Sequence, residues 1–369
     1  MVRQPKRARD GGRGLPTRRR LLTETAIGVV LGAIAVVVIM SCVRSFMPSA
    51  QKYPSIPEVN GIGLSLTADH PGGTADTPAS RISSIPVLSY HQMDNGCVPT
   101  AQLCTTSGFT EDNVTQRQFY DQMSWLYSHG YRTVTAEQYI KWVTGKQVML
   151  PAKPVLLTVD DGIVNFYAGA TPVLRNFGFS MVSMVVSGFA QGAQDNVRRY
   201  RGWDATWTQL ANLPSGTWEF AFHAGPAGHL LTPGTNCQYF YPCMRSGETA
   251  AAYKTRTAHD IDAGLAAVQA HLGSRVSTDM WAVPFNDLAQ PGAEQVSGAV
   301  PRTWLNDYAQ RKFAVVFVDG QTSRANQHYR YEVHGTDTLT FFASQLNQPD
   351  VFSRNPGPAT ATARPGGRS

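Results

Sequence analysis

A parallel α/β sheet covered by helices, either closed into a barrel or doubly wound, is the fold class that this sequence predicts. Strand-like and helix-like segments alternate from about residue 85 to about residue 346, the pattern of successive β-α-β units. The clearest of them, "PVLLTV" at Pro154–Val159, reads as a buried strand that runs straight into two adjacent carboxylates, Asp160 and Asp161. At 369 residues with 42% hydrophobic content, the chain can build one large core or two ordinary ones.

The elements follow in order. "IPVLSYH" at Ile85–His91 is strand-like; Phe119, Met123 and Leu126 then recur at helical spacing until Gly130 stops the run. "YRTVT" at Tyr131–Thr135 is a strand, and Thr135 with Gln138 makes a capping box for the next helix. After Pro154–Val159 come a helical stretch through "AGATPVLRNFG" and a strand at Phe179–Val186. A helix near Ala205–Leu213, a strand at Trp218–His223 and a long helix near Glu248–Leu272 continue the alternation. "MWAVPF" at Met280–Phe285, a helix near Arg302–Arg311, a strand at Phe313–Asp319 and a helix near Thr336–Leu346 complete it. No internal repeat is present.

The two ends differ in composition from this body. Residues 1–20 hold Arg3, Lys6, Arg7, Arg9, Arg13, Arg18, Arg19 and Arg20 against Asp10, a local balance of +7 in a chain whose formal charge is +6. The rest of the chain is therefore close to neutral, which removes the basic folded face that a nucleic-acid partner needs. The segment from Thr25 to Val43 carries no charge over nineteen residues. At about 1.5 Å per residue it spans about 28 Å, the hydrocarbon thickness of a bilayer. Basic residues ahead of it orient the N-terminus to the cytoplasm. The expected plan is a basic cytoplasmic tail (1–24), a single-pass anchor (25–43), a flexible stalk (44–84), a globular domain (85–348) outside the cytoplasm and a disordered tail (349–369). "TRRRLL" at Thr17–Leu22 and "IMSC" at Ile39–Cys42 also resemble export and lipoprotein signals, so an exported lipoprotein or secreted form is the alternative. Beyond Cys42, two close pairs, Cys97 with Cys104 and Cys237 with Cys243, suit local disulfides in an oxidising compartment. Oligomeric state is not legible in the sequence.

In parallel α/β folds, functional groups gather at the C-terminal ends of the strands. That rule selects His91, Asp160, Asp161, His223, Pro284, Phe285 and Asp319. Two neighbouring carboxylates repel, and burying either requires a cation or a proton. "FHAGPAGHLL" supplies His223 and His229 on a Gly- and Pro-rich loop that lets both rings turn to one point. With Asp161 they form a two-histidine, one-carboxylate set suited to a divalent ion such as zinc. Trp281 and Phe285 suit stacking on a sugar face as well as simple core packing; Asp319 suits a supporting partner or a cap.

"LLTVDDGIVNFY" together with "ATPVLRNFGF" resembles the TFDDG motif of the polysaccharide deacetylases of the NodB-homology type, with Val159 in place of the aromatic. "IPVLSYHQM" resembles the opening strand of the subgroup that includes exported poly-N-acetylglucosamine deacetylases; "FHAGPAGH" resembles the metal-binding histidine motif, and "WAVPFND" the groove-lining motif. The matches occur in family order from about Ile85 to Leu346. The resemblance implies a distorted (β/α)7-type barrel and metal-dependent N-deacetylation of an N-acetylated polysaccharide. It implies Asp160 as general base, Asp161, His223 and His229 as ligands of Zn2+ (with Co2+ or Ni2+ as alternatives), and Trp281, Pro284 and Phe285 as groove residues. It implies His91 as the acid for the leaving amine, with His334 as the alternative acid. The histidines stand six apart where the family usually has four or five, and Ala282 stands where the family commonly has an arginine that orients the base. A catalytically silent glycan-binding module on the same fold, or a glycoside hydrolase using Asp160 with a distant carboxylate, are the competing functions.

Overall fold

In the computed structural model, the described residues are 55–56, 58–59, 63, 74–94, 112–195, 203–230, 240–286, 299–318 and 326–353. All of them belong to one compact unit. The expected tail and anchor over residues 1–43 lie outside the described residues, as do Cys97, Cys104, Cys237 and Asp319. Among the described residues no helix is long and apolar enough to cross a membrane.

Among the described residues, nine strands form one parallel sheet: β1 (Val87–Tyr90), β2 (Tyr131–Thr133), β3 (Lys153–Val159), β4 (Met181–Val186), β5 (Trp218–Ala224), β6 (Val276–Ala282), β7 (Val315–Val318), β8 (Gln327–Tyr329) and β9 (Tyr331–Glu332). Their order is β8-β7-β6-β5-β4-β3-β1-β9, with β2 paired to the start of β3. The β8 and β9 strands are two halves of one extended segment with Arg330 between them. One half pairs with β7 and the other with β1. Arg330 N donates to Val318 O at 3.2 Å and Val333 N to Ser89 O at 2.9 Å, so this segment draws the two edges of the sheet together. Seven chain segments thus surround a nearly closed barrel, which removes most of the exposed sheet edge.

Helices α1 (Gln116–Ser128), α2 (Ala136–Val143), α3 (Val164–Phe177), α4 (Ser187–Asp195), α5 (Trp207–Ala211), α6 (Ala250–Leu272), α7 (Ala299–Lys312) and α8 (Leu339–Leu346) connect and surround the strands. The expected capping box at Thr135 and Gln138 is formed, and Thr115 with Gln118 and Thr206 with Gln209 build two more. Each satisfies amide groups that the first helical turn leaves unpaired.

The alternation of side chains along each strand divides the core in two. Val87, Leu156, Val182, Met184, Ala221, Met280, Ala282, Val315 and Phe317 form one cluster with Tyr139 and Trp142 of α2, inside the barrel. The intervening residues, such as Leu88, Leu157, Val185, Phe222 and Trp281, pack against the surrounding helices in a larger cluster. Continued by twos, the inward series reaches Ser89 and His91, Thr158 and Asp160, and His223. The chemistry-bearing residues therefore crown the same stack whose lower layers are apolar.

Parts of the segments expected to be stalk and tail pack on the domain. Val59 N donates to Ala168 O at 2.9 Å, Glu58 pairs with Arg175, and Thr77–Pro78 forms an antiparallel strand pair with Met149–Leu150. Ile85 N donates to Phe352 O at 3.1 Å, and Phe352 is buried. Small contacts of this kind, spread over low-complexity sequence, leave no hydrophobic period to read.

Candidate metal centre

The β3 strand ends at Val159, and simple alternation would send Asp160 and Asp161 to opposite faces. Asp161 instead adopts a left-handed conformation (φ 74°), followed by Gly162 (φ 87°), and Gly162 N donates to Asp160 O at 2.9 Å. This tight turn brings both carboxylates to the same rim: His223 Nε2 lies 3.9 Å from Asp160 Oδ2 and 3.5 Å from Asp161 Oδ1. Among the described residues only Asp161 and Phe285 (φ 54°) combine a side chain with positive φ, and both stand here. Backbone strain of this sort persists where the surrounding structure enforces it, commonly at functional sites.

Asp161, His223 and His229 meet as three metal-ligating groups whose donor atoms lie within 4.8 Å of one another. His229 Nε2 is 3.0 Å from Asp161 Oδ1. His223 Nδ1 lies 2.7 Å from Ala282 O and donates to it, which fixes the tautomer and turns the Nε2 lone pair toward the two aspartates. Trp281 Nε1 donates to His223 O at 2.8 Å, holding the backbone of the same residue. The buried Asp161 Oδ1 has no well-formed hydrogen bond, although two imidazole nitrogens stand beside it. Three lone-pair donors converging without a proper hydrogen bond fit a divalent cation, in a three-ligand set that leaves positions open. Burial works to raise the Asp161 carboxyl, but His229 and His223 outweigh it and hold it well below its ordinary range.

Asp160 is only 1% exposed and is held from the other side by Arg330. The guanidinium donates from Nη1 to Oδ1 and from Nη2 to Oδ2, each at 2.7 Å. Burial would raise this carboxyl; Arg330 first, then His223 and His91, overcome it and keep it ionised. Sequence reasoning missed Arg330. It grips Asp160 from the barrel seam, whereas Ala282 has no side chain that could do so.

His91 Nε2 lies 3.8 Å from Asp160 Oδ2, and His91 Nδ1 is 3.6 Å from Glu332 Oε1. Burial pulls the imidazole pKa down, but Asp160, Asp161 and Glu332 outweigh it and raise it above its ordinary value. His334 stands one step further out, 3.6 Å from Glu332 Oε2 and 3.9 Å from Asp112 Oδ1. The geometry thus brings His91 to Asp160 and puts His334 behind Glu332. Glu332 and Asp204 also escaped notice in the sequence. Burial and the neighbouring Asp161 push the Asp204 carboxyl up to about 6.

Two expected groove residues are corrected. Trp281 is fully buried on the outward side of β6, against Phe313 and Tyr241, and offers no face to a sugar. Pro284 is buried as well. Phe285 alone is exposed (38%), its ring centroid 4.5 Å from that of His229. Alternation on a strand covered by helices carried Trp281 away from the rim.

The barrel is a fold shared with solved structures of known proteins. The solved structures it matches include a de-N-acetylase from Aggregatibacter actinomycetemcomitans, at a TM-score of 0.55 and 19% identity over 71% of this chain and 99% of that one. IcaB from Ammonifex degensii matches with a TM-score of 0.51 and 20% identity over 72% of this chain and 97% of that one. In sequence, the chain is 32% identical over 152 residues to the poly-beta-1,6-N-acetyl-D-glucosamine N-deacetylase of Escherichia coli K12. That alignment covers 37% of this chain and spans about a fifth (22%) of the relative's length. No family model matches the chain. The resemblance carried by the TVDDG and YH motifs is thus to polysaccharide deacetylases, with poly-N-acetylglucosamine deacetylases among the relatives.

Proposed function

We propose that this protein is a metal-dependent N-deacetylase of an N-acetylglucosamine-type polysaccharide of the cell envelope or extracellular matrix. We further propose that residues 25–43 hold it on the outer face of the cytoplasmic membrane. The observation that carries the enzymatic reading is the division of labour between two adjacent aspartates. Asp161 faces His223 and His229, whereas Asp160 faces Arg330 and His91.

Asp161, His223 and His229 would hold the divalent ion, zinc first among the candidates. When bound, such an ion polarises the acetyl carbonyl and acidifies a coordinated water. Asp160, ionised and fixed in orientation by Arg330, accepts a proton from the attacking water. Arg330 spreads the carboxylate charge over two hydrogen bonds, which fixes its direction while leaving it a weaker base. His91, whose protonated form the surrounding carboxylates favour, donates to the departing glucosamine nitrogen, which otherwise leaves poorly as an anion. The exposed ring of Phe285 suits the apolar face of a sugar bound at the rim.

The test measures acetate release from N-acetylglucosamine oligomers by the purified chain before and after chelation, and with Asp160→Asn. Chelation should abolish release, and readdition of Zn2+ or Co2+ should restore it. Asp160→Asn should lower kcat by about 10²–10⁴-fold while metal content stays at the wild-type level. Cleavage of the glycan without acetate release would establish a glycoside hydrolase instead. Undiminished glycan binding with no acetate from any oligomer would establish a binding module.

A further inference from the structure

The loop between the two histidines is organised by a helix distant in sequence. Tyr253, Arg256, Asp260 and Gly264 of α6 succeed one another at spacings of three and four, so they share one helical face. Tyr253 Oη donates to Tyr241 O at 2.7 Å, and Arg256 donates to Phe240 O and Cys243 O at 3.0 and 2.9 Å. These bonds fix the segment that carries Tyr241. One turn further, the buried Asp260 presents its carboxylate to the histidine loop. Oδ1 accepts from Ala227 N at 2.8 Å and Oδ2 from Tyr241 Oη at 2.9 Å, while Tyr241 Oη accepts from Gly225 N at 2.8 Å. A further backbone hydrogen bond from Gly228 reaches the same carboxylate.

Three amide groups of the loop therefore turn inward, away from water, and Asp260 and Tyr241 supply their acceptors. The contacts are flush. A Cβ at Gly225 would overlap Asp260, one at Gly228 the Tyr241 hydroxyl, and one at Gly264 the Gly225 backbone. His229 follows directly on Gly228, so the clamp determines where the second imidazole stands. The Tyr241 ring also packs at a near-perpendicular angle against Trp281, whose indole holds the His223 carbonyl. Both histidines are thus tied to one buried network.

We propose that Asp260 and Tyr241 are positioning residues that seat the long histidine loop, so that His229 closes on the ion despite its six-residue separation from His223. The effect on metal affinity rests on the reading of Asp161, His223 and His229 as ligands. A pair of this kind acts as outer partners of a metal site do, where substitution typically weakens binding by about 10–100-fold.

The experiment titrates the full chain, stripped of metal, with Zn2+ in competition with a chromogenic chelator and with Co2+ followed by visible absorption. Wild type, Tyr241→Phe, Asp260→Asn and His229→Ala are compared, each with a thermal melt. Tyr241→Phe keeps the ring and its packing and removes only the hydroxyl, so it decides the question if Asp260→Asn does not fold. The expected result is about 10–100-fold weaker binding and an altered Co2+ spectrum in Tyr241→Phe, with cooperative melting retained. Affinity within twofold of wild type, whatever the change in melting temperature, would mark the pair as fold-stabilising only and overturn the proposal. No binding by wild type, or undiminished binding by His229→Ala, would overturn the metal reading itself and the clamp with it.

Discussion

Glu332 shows how one carboxylate can set the working range of a neighbour. It stands between His91 and His334, 3.6 Å from each. Burial depresses the His91 pKa, and Asp160, Asp161 and Glu332 together reverse this. Replacing Glu332 with Gln removes one anion and leaves the imidazolium less favoured. The His91 pKa should then fall, and the alkaline limb of kcat/KM should move to lower pH while the maximum changes less. A pH–rate profile for acetate release checks this, and an unmoved alkaline limb would remove His91 from the role of acid. His334→Gln should move that limb far less, because Glu332 intervenes.

Strand β8 carries a different kind of histidine. His328 is buried edge-on to Tyr139, and burial pushes its imidazole down to about 4. The ordinary value is about 6.5, so the folded state keeps this ring neutral where the unfolded chain would protonate it. As pH falls below about 6.5, the unfolded state gains a proton that the native state refuses, and stability declines until the native ring also protonates near pH 4. His328→Leu should flatten that part of the decline. Urea denaturation midpoints at pH 7, 5.5 and 4.5 test it, and parallel slopes for the two proteins would contradict it. The same extended segment bears Arg330 two residues later, so β8 and β9 serve the core, the barrel seam and the rim at once.

For the whole molecule, the decisive feature is that the domain begins before its first barrel strand. Glu58 and Val59 bond to α3, the Gln116 side chain of α1 donates to Val59 O, and Thr77–Pro78 pairs with Met149–Leu150. A chain starting at residue 85 should therefore melt several degrees below one starting at residue 54, because a loss of about 1 kcal/mol per deleted hydrogen bond accumulates. Equal melting temperatures would mean that these contacts add nothing net. Barrel closure has a corresponding role in the chemistry, since Arg330 and Asp160 are 170 residues apart and meet only when the sheet closes.

By itself the sequence determined the alternating elements, the strand ends and the cluster of His91, Asp160, Asp161, His223 and His229. Those signals are local: apolar runs, helical spacing, capping residues and glycines act within a few positions. Tertiary structure decided the rest. In "NQHYRYEV" a buried arginine looks like any solvated one until its carboxylate partner is brought beside it, and the short polar strands around it have no apolar period. In sequence, Trp281 suits a sugar platform and the core equally, and the pleat turned it outward into the helical layer. The reach of His229 across a long loop was set by Asp260 and Tyr241. Long-range pairing of buried charges and the facing of a side chain depend on how the sheet closes, and closure is a property of the whole chain.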